Sequence, residues 1–162
     1  MTAPRLRNRT AAHAQRGAYA VEFALVFLIF FALLYGIISY GMLFAFRLGL
    51  QNAAEDGARA ALRYQTDFPA RAAQAQAVAA AQANWLPAIV NLQAVATVCQ
   101  VANNNCAPAV AAACGITWDT RCQMVVTVTA TNMGRLLPPM PLFGVPDQLV
   151  GRATMLLDAR TP

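Results

Sequence analysis

From Phe23 to Phe46 the chain holds a single plainly polar side chain, Ser39, and the run FALVFLIFFALLYGIISYGMLFAF is bounded by Glu22 and Arg47. At about 1.5 Å per residue a helix of this length crosses the roughly 30 Å hydrocarbon layer of a bilayer. A helix buried in a soluble core is the alternative, but uninterrupted apolar runs of this length are rare there. The helix is predicted to continue beyond Phe46, because Arg47 to Arg63 contains no proline and groups its polar residues at helical spacing. Every fourth residue along it is small: Gly41, Ala45, Gly49, Ala53, Gly57 and Ala61. Such a ridge lets another backbone approach closely, and its period above 3.6 winds it right-handedly around the helix. An alanine-rich composition produces similar spacing by chance, yet three glycines in a helix cost about 0.8–1 kcal/mol each relative to alanine and so point to packing.

Tyr64 to Asp67 interrupts the pattern. Asp67-Phe68-Pro69 reads as a helix start, with Asp67 as cap and proline in the first turn, and an alanine-rich helix follows from Ala70 to about Leu86, closed by Pro87. From Ala88 to Val101 the composition turns β-branched and predicts a strand, with Val95, Thr97, Cys99 and Val101 on one side. Residues 102–120 form a long loop. Cys122 to Thr131 alternates clearly, Met124, Val126 and Val128 opposing Gln123, Thr127 and Thr129, and is a second strand. A proline-rich connection, Leu137 to Phe143, leads to a last strand from about Gln148 to Asp158. The expected fold class is α+β: a long N-terminal transmembrane helix and stalk (18–63), then a domain (64–162) with one helix and a three-stranded antiparallel sheet. Residues 1–17 have no hydrophobic face and are expected to lack stable structure.

Charge assigns sides to these parts. All twelve basic residues are arginine, and Arg5, Arg7, Arg9 and Arg16 precede the apolar run with no acid among them. The remaining eight arginines face all seven acids. A basic leader beside a span is retained in the cytoplasm, which places residues after Phe46 on the other side. Nucleic-acid binding, the other reading of a pI near 9.5, does not suit charge confined to a leader with no basic, aromatic-interleaved patch elsewhere. A secretory signal would end its apolar segment after about 7–15 residues and mark the cut beyond it. Here the nearest such pattern, Ala58-Arg59-Ala60, falls inside a strongly helical stretch, so the apolar segment is expected to stay in the mature protein.

The four cysteines, Cys99, Cys106, Cys114 and Cys122, all fall on the exported side, where an even number suggests disulfides. Zinc prefers short Cys-x-x-Cys pairs or partnering histidines, whereas these gaps are longer and the one histidine, His13, lies in the leader. If the flanking strands pair as a hairpin, Cys99 and Cys122 face each other at its open end, and Cys106 and Cys114 close the loop; this nested pairing is one of three connectivities. No constellation supports catalysis, and no metal or cofactor site is expected: the acids beyond Glu22 are scattered, and neither a Gly-x-Ser-x-Gly motif nor a phosphate-cradling glycine loop occurs. Trp85 and Trp118 have two readings, a binding surface or packing at a helix end and beside a disulfide, and packing is the expectation.

The junction between leader and span is the most specific stretch. Gly17 is followed by Ala18-Tyr19-Ala20-Val21-Glu22, so a glutamate stands at the mouth of the membrane helix. Taken alone, Glu22 fits a first-turn acid favoured by the helix dipole and reached by water. Together with Ala20-Val21-Glu22-Phe23-Ala24-Leu25, Gly36, Gln51-Asn52-Ala53-Ala54 and Asp56-Gly57-Ala58-Arg59-Ala60-Ala61, it resembles the N-terminal region of TadE-like proteins, pseudopilins of bacterial tight adherence (Tad) pili and a branch of the type IV pilin group. Ala153-Thr154-Met155 also looks like that family's closing strand, with Leu156 where a basic residue is usual. The resemblance implies a non-enzymatic subunit, cut by a prepilin peptidase between Gly17 and Ala18, with Glu22 as the pilin-type assembly glutamate. Its implied partners are other Tad pilins or pseudopilins and the inner-membrane assembly platform. Its implied place is the bacterial inner membrane with a periplasmic domain, and its implied role is assembly of a pilus for adhesion and biofilm formation. A single-pass protein whose exported domain binds a partner unrelated to pili is the alternative, and a membrane-anchored enzyme the second.

Overall fold

The computed structural model describes residues 11–63, 65–106, 114–139 and 144–157, with side chains from Gly17 onward. Helix α1 spans Ala11–Ala60, helix α2 Phe68–Ala83, and strands β1, β2 and β3 span Asn91–Gln100, Cys122–Thr131 and Leu149–Leu156. This is the expected α+β arrangement. The helix opens at Ala11, inside the stretch expected to lack structure, and the correction has a local cause: Ala11 to Gln15 is rich in strong helix formers, with no proline after Pro4 to stop them. Contacts divide the chain into two units, one reaching to Ile38 and a larger one beginning at Ser39.

In the first unit the helix surface is bare. Every residue from Gly17 to Leu34 is exposed, and an 18-residue window in this helix has a mean hydropathy of 2.6 with none of it buried. Removing one such side chain from water contributes about 1.5–3 kcal/mol, so a surface holding Phe23, Leu25, Phe27, Leu28, Phe30 and Phe31 at more than half exposure must be covered by lipid or protein. A helix from the core of a soluble protein would be covered already. The helix is long and apolar enough to cross a membrane.

The second unit is a meander, β1-β2-β3, with both pairings antiparallel. Residues of even number in β1 and β2 share one face: Ala94, Ala96 and Val98 pair across to Val128, Val126 and Met124, and β3 adds Leu149, Gly151 and Ala153. This face forms the core together with Leu50, Ala53, Ala54, Ala58 and Ala61 of α1 and Ala75, Ala79 and Ala83 of α2. Alanine at these helix positions keeps the layers close. The start of α2 is set as the sequence predicts: the Asp67 carboxylate accepts from the Ala70 amide at 2.7 Å, and Pro69 occupies the first turn.

Two contacts fasten α1 to the sheet. The Gln51 side-chain amide donates to the Arg152 carbonyl at 3.0 Å and its oxygen accepts from the Arg152 amide at 3.1 Å. It thereby stands in for a neighbouring strand and satisfies part of the free β3 edge, which would otherwise be open to pairing with another chain. One residue away, Gly151 lies against the α1 backbone at Leu50 and Gln51, where a Cβ would collide with main-chain atoms. Glycine in a strand marks such a close approach.

Candidate functional site

Gly17, Ala18 and Glu22 all lie on the exposed part of α1. A Cβ at Gly17 would meet nothing within 4 Å, so the fold itself does not require glycine there. Ala18 and Glu22 are four residues apart and share one face of the helix. The Glu22 carboxylate makes no hydrogen bond or ion pair with the described residues. Beside it runs an aromatic ladder, Phe23, Phe27, Phe31 and Tyr35, with ring centroids 6.0, 6.2 and 6.5 Å apart. Its i, i+4 spacing is present in the sequence, where the uniformly apolar run around it masks the signal. Ser39, the polar interruption of that run, is fully buried at the start of the second unit, so it does not break the exposed apolar surface.

The small-residue ridge has two fates. Gly41 and Ala45 are exposed, and a Cβ on Gly41 would meet nothing within 4 Å. From Gly49 onward the ridge is taken up by the protein's own domain. The Trp85 ring lies over Gly49, in the space a Cβ would need, and stacks on Phe46 with centroids 5.6 Å apart. Ala53, Gly57 and Ala61 are buried, and a Cβ on Gly57 would lie 2.7 Å from the Ala79 Cβ and 2.8 Å from the Ala75 carbonyl oxygen.

Residues 17–59 match the family model described as TadE-like protein. Over this stretch the chain is similar to TadE-like proteins. No curated protein and no solved structure matches the chain significantly. The TadE-like segment thus includes the exposed helix with Gly17 and Glu22 and most of the ridge that carries the domain. It ends before α2 and the sheet.

The cysteines lie outside the TadE-like segment, and their pairing corrects the nested expectation. Cys99 is bonded to Cys106 and Cys114 to Cys122. The register explains it: Cys99 pairs across with Gln123, and Cys122 with Gln100. Successive side chains in a strand point to opposite faces, so an offset of one residue puts Cys122 on the core face and Cys99 on the other. Each disulfide instead ties one limb of the β1–β2 loop back to its own strand. Further bonds brace the limbs, from the Gln100 amide to the Asn105 carbonyl at 2.9 Å and from the Gly115 amide to the Thr120 carbonyl at 2.9 Å. The centre of the loop, 107–113, lies outside the described residues. Among the described residues no group of three or more His, Cys, Asp or Glu is placed to hold a metal ion.

With sequence separations of 7 and 8, each closed loop is short, and removing one bond is expected to cost about 2–3 kcal/mol. The pair Cys99→Ser with Cys106→Ser should therefore lower the unfolding midpoint while leaving Cys114–Cys122 intact. Non-reducing peptide maps together with denaturant titration check this, and recovery of a Cys99–Cys122 peptide from the unaltered protein would refute the pairing.

Proposed function

We propose that this chain is a pseudopilin of a Tad-type pilus, made with a leader that a prepilin peptidase removes after Gly17 and held in the bacterial inner membrane by α1. Its domain lies in the periplasm, where the disulfides can form. Its role is in assembly of the pilus with other Tad pilins or pseudopilins and the inner-membrane platform, in the service of adhesion and biofilm formation. The observation that carries the reading is the TadE-like match over 17–59, whose start coincides with a leader glycine, a glutamate five residues on and a bare apolar helix. The basic leader supports the orientation. The exposed Gly41 and Ala45 leave a smooth strip on which a neighbouring apolar helix can pack.

The N-terminus tests it. Mass spectrometry of the membrane-extracted protein from cells with an active peptidase should find a mature chain beginning at Ala18. Gly17→Leu should leave a longer, leader-bearing form with an unchanged domain, because a Cβ at position 17 meets nothing within 4 Å. An intact Met1 terminus in those cells would sink the proposal.

A further inference from the structure

The exposed apolar stripe of α1 does not stop where the compact unit begins. Met42, Phe44 and Leu48 remain exposed, Phe44 and Leu48 at 64% and 62%, and the first charge after Glu22 is Arg47. A lipid-covered surface should therefore extend to the level of Arg47, whose long side chain can reach the headgroups while its stem stays in an apolar layer. Yet by this level the helix is already flanked by the domain. On one side, Trp85 lies over Gly49 and Phe46 and is 49% exposed. On another, a groove of about 350 Å³ brings Phe44 and Arg47 together with Pro146 and the half-exposed Val150. Asp147, next to Pro146 in the chain, has a carboxylate oxygen 3.8 Å from the position a Cβ on Gly134 would take.

We propose that this rim, formed by Phe44, Arg47, Leu48, Trp85, Pro146 and Val150, docks into the lipid headgroup and upper acyl layer, so that the domain is seated in the membrane surface. The occupant is lipid because Phe44 belongs to the apolar run itself and Arg47 ends it, and because the rim's composition is that of a membrane interface: aromatic and aliphatic side chains around one arginine, with Trp85 stacked on Phe46 where the run ends. The arginine would meet a lipid phosphate. The inference rests on α1 spanning a membrane, and the experiment separates the two.

The two tryptophans supply the test. Trp118 sits on the loop at the distal ends of β1 and β2, away from the rim, and is 64% exposed. Full-length Trp118→Phe protein is reconstituted in phosphatidylethanolamine–phosphatidylglycerol vesicles, and flotation with alkali-resistant retention establishes insertion first. Trp85 is then the reporter. An interfacial element lies about 5–10 Å into the headgroup–acyl boundary, so acyl chains brominated at shallow carbons should quench Trp85 emission about twofold and deep bromines less. The companion Trp85→Phe, which reports Trp118, should not respond. Failure of insertion would overturn the spanning reading and this inference with it. Insertion with Trp85 untouched by bromolipid but quenched by iodide would show a domain standing in water; insertion with Trp85 shielded from both would show a second copy or another protein on the rim. Either result overturns the lipid seat while leaving the span in place.

Discussion

Glu22→Gln and Glu22→Val are expected to insert in the membrane at normal levels and to fail in piliation. Under the proposed cleavage after Gly17, the Ala18 amine would be a positive charge four positions from Glu22 at the edge of the apolar run. The carboxylate can pair with it in its own chain or in a neighbour. In water such a pair contributes about 0–1 kcal/mol. In a helix bundle screened from water, an unpaired carboxylate costs several kcal/mol, so subunit contacts that supply the amine are favoured over those that do not. The structure sharpens this, since Glu22 has no partner among the described residues and stands on a bare surface. Removing the charge makes the span more apolar and insertion easier. It also removes the term that selects the correct contact, and because each 1.4 kcal/mol is a factor of ten, surface pili should fall by roughly two orders of magnitude. The measurement is pilus yield in cells carrying the variant as their only copy, alongside protein in the membrane fraction. Normal piliation at normal protein level would leave Glu22 an exposed helix acid with no part in assembly; with α1 opening at Ala11 it is not in the first turn, where the sequence alone placed it.

Gly57→Leu carries the largest effect expected on the fold. The first added carbon alone would lie 2.7 Å from the Ala79 Cβ, 2.8 Å from the Ala75 carbonyl oxygen and 3.3 Å from a Val126 methyl. Two of these belong to α2 and one to β2, so no single flexible side chain can move aside; α2 would have to shift from α1. Overpacking of this kind costs about 1–3 kcal/mol and at times more, while replacing a helical glycine returns at most about 1 kcal/mol. A net loss of about 2 kcal/mol is a large share of a typical 5–15 kcal/mol stability. Gly41→Ala, on the same ridge, meets nothing within 4 Å and should leave the domain as stable as before or slightly more so. Denaturant unfolding of the full chain in detergent, followed by tryptophan emission, compares them. Equal midpoints for the two variants would contradict the close α1–α2 approach.

The sequence by itself determined the features that depend on one-dimensional order. A helix long and apolar enough to span follows from an unbroken apolar run, the start of α2 from Asp67 and Pro69, and β2 from strict alternation between Cys122 and Thr131, matching the observed strand. The TadE-like stretch was legible for the same reason, since its marks are residues at set distances along one helix. Tertiary structure alone decided which part of α1 the protein's own domain covers: Leu50, Ala53 and Ala54 are buried, whereas Gly17 to Leu34 are bare. Apolar residues of both kinds look alike in sequence, because a bilayer and a protein core select the same side chains. It alone divided the small-residue ridge, for a four-residue spacing says that something can approach but not what: Gly41 remains open, and Gly57 is filled by α2. It alone showed that Gly151 admits the α1 backbone to the sheet and that Gln51 covers the β3 edge, across a separation of 101 residues. The disulfides depended on it most finely. A register offset of one residue puts Cys99 and Cys122 on opposite faces of the sheet, and no spacing between cysteines carries the parity of that register.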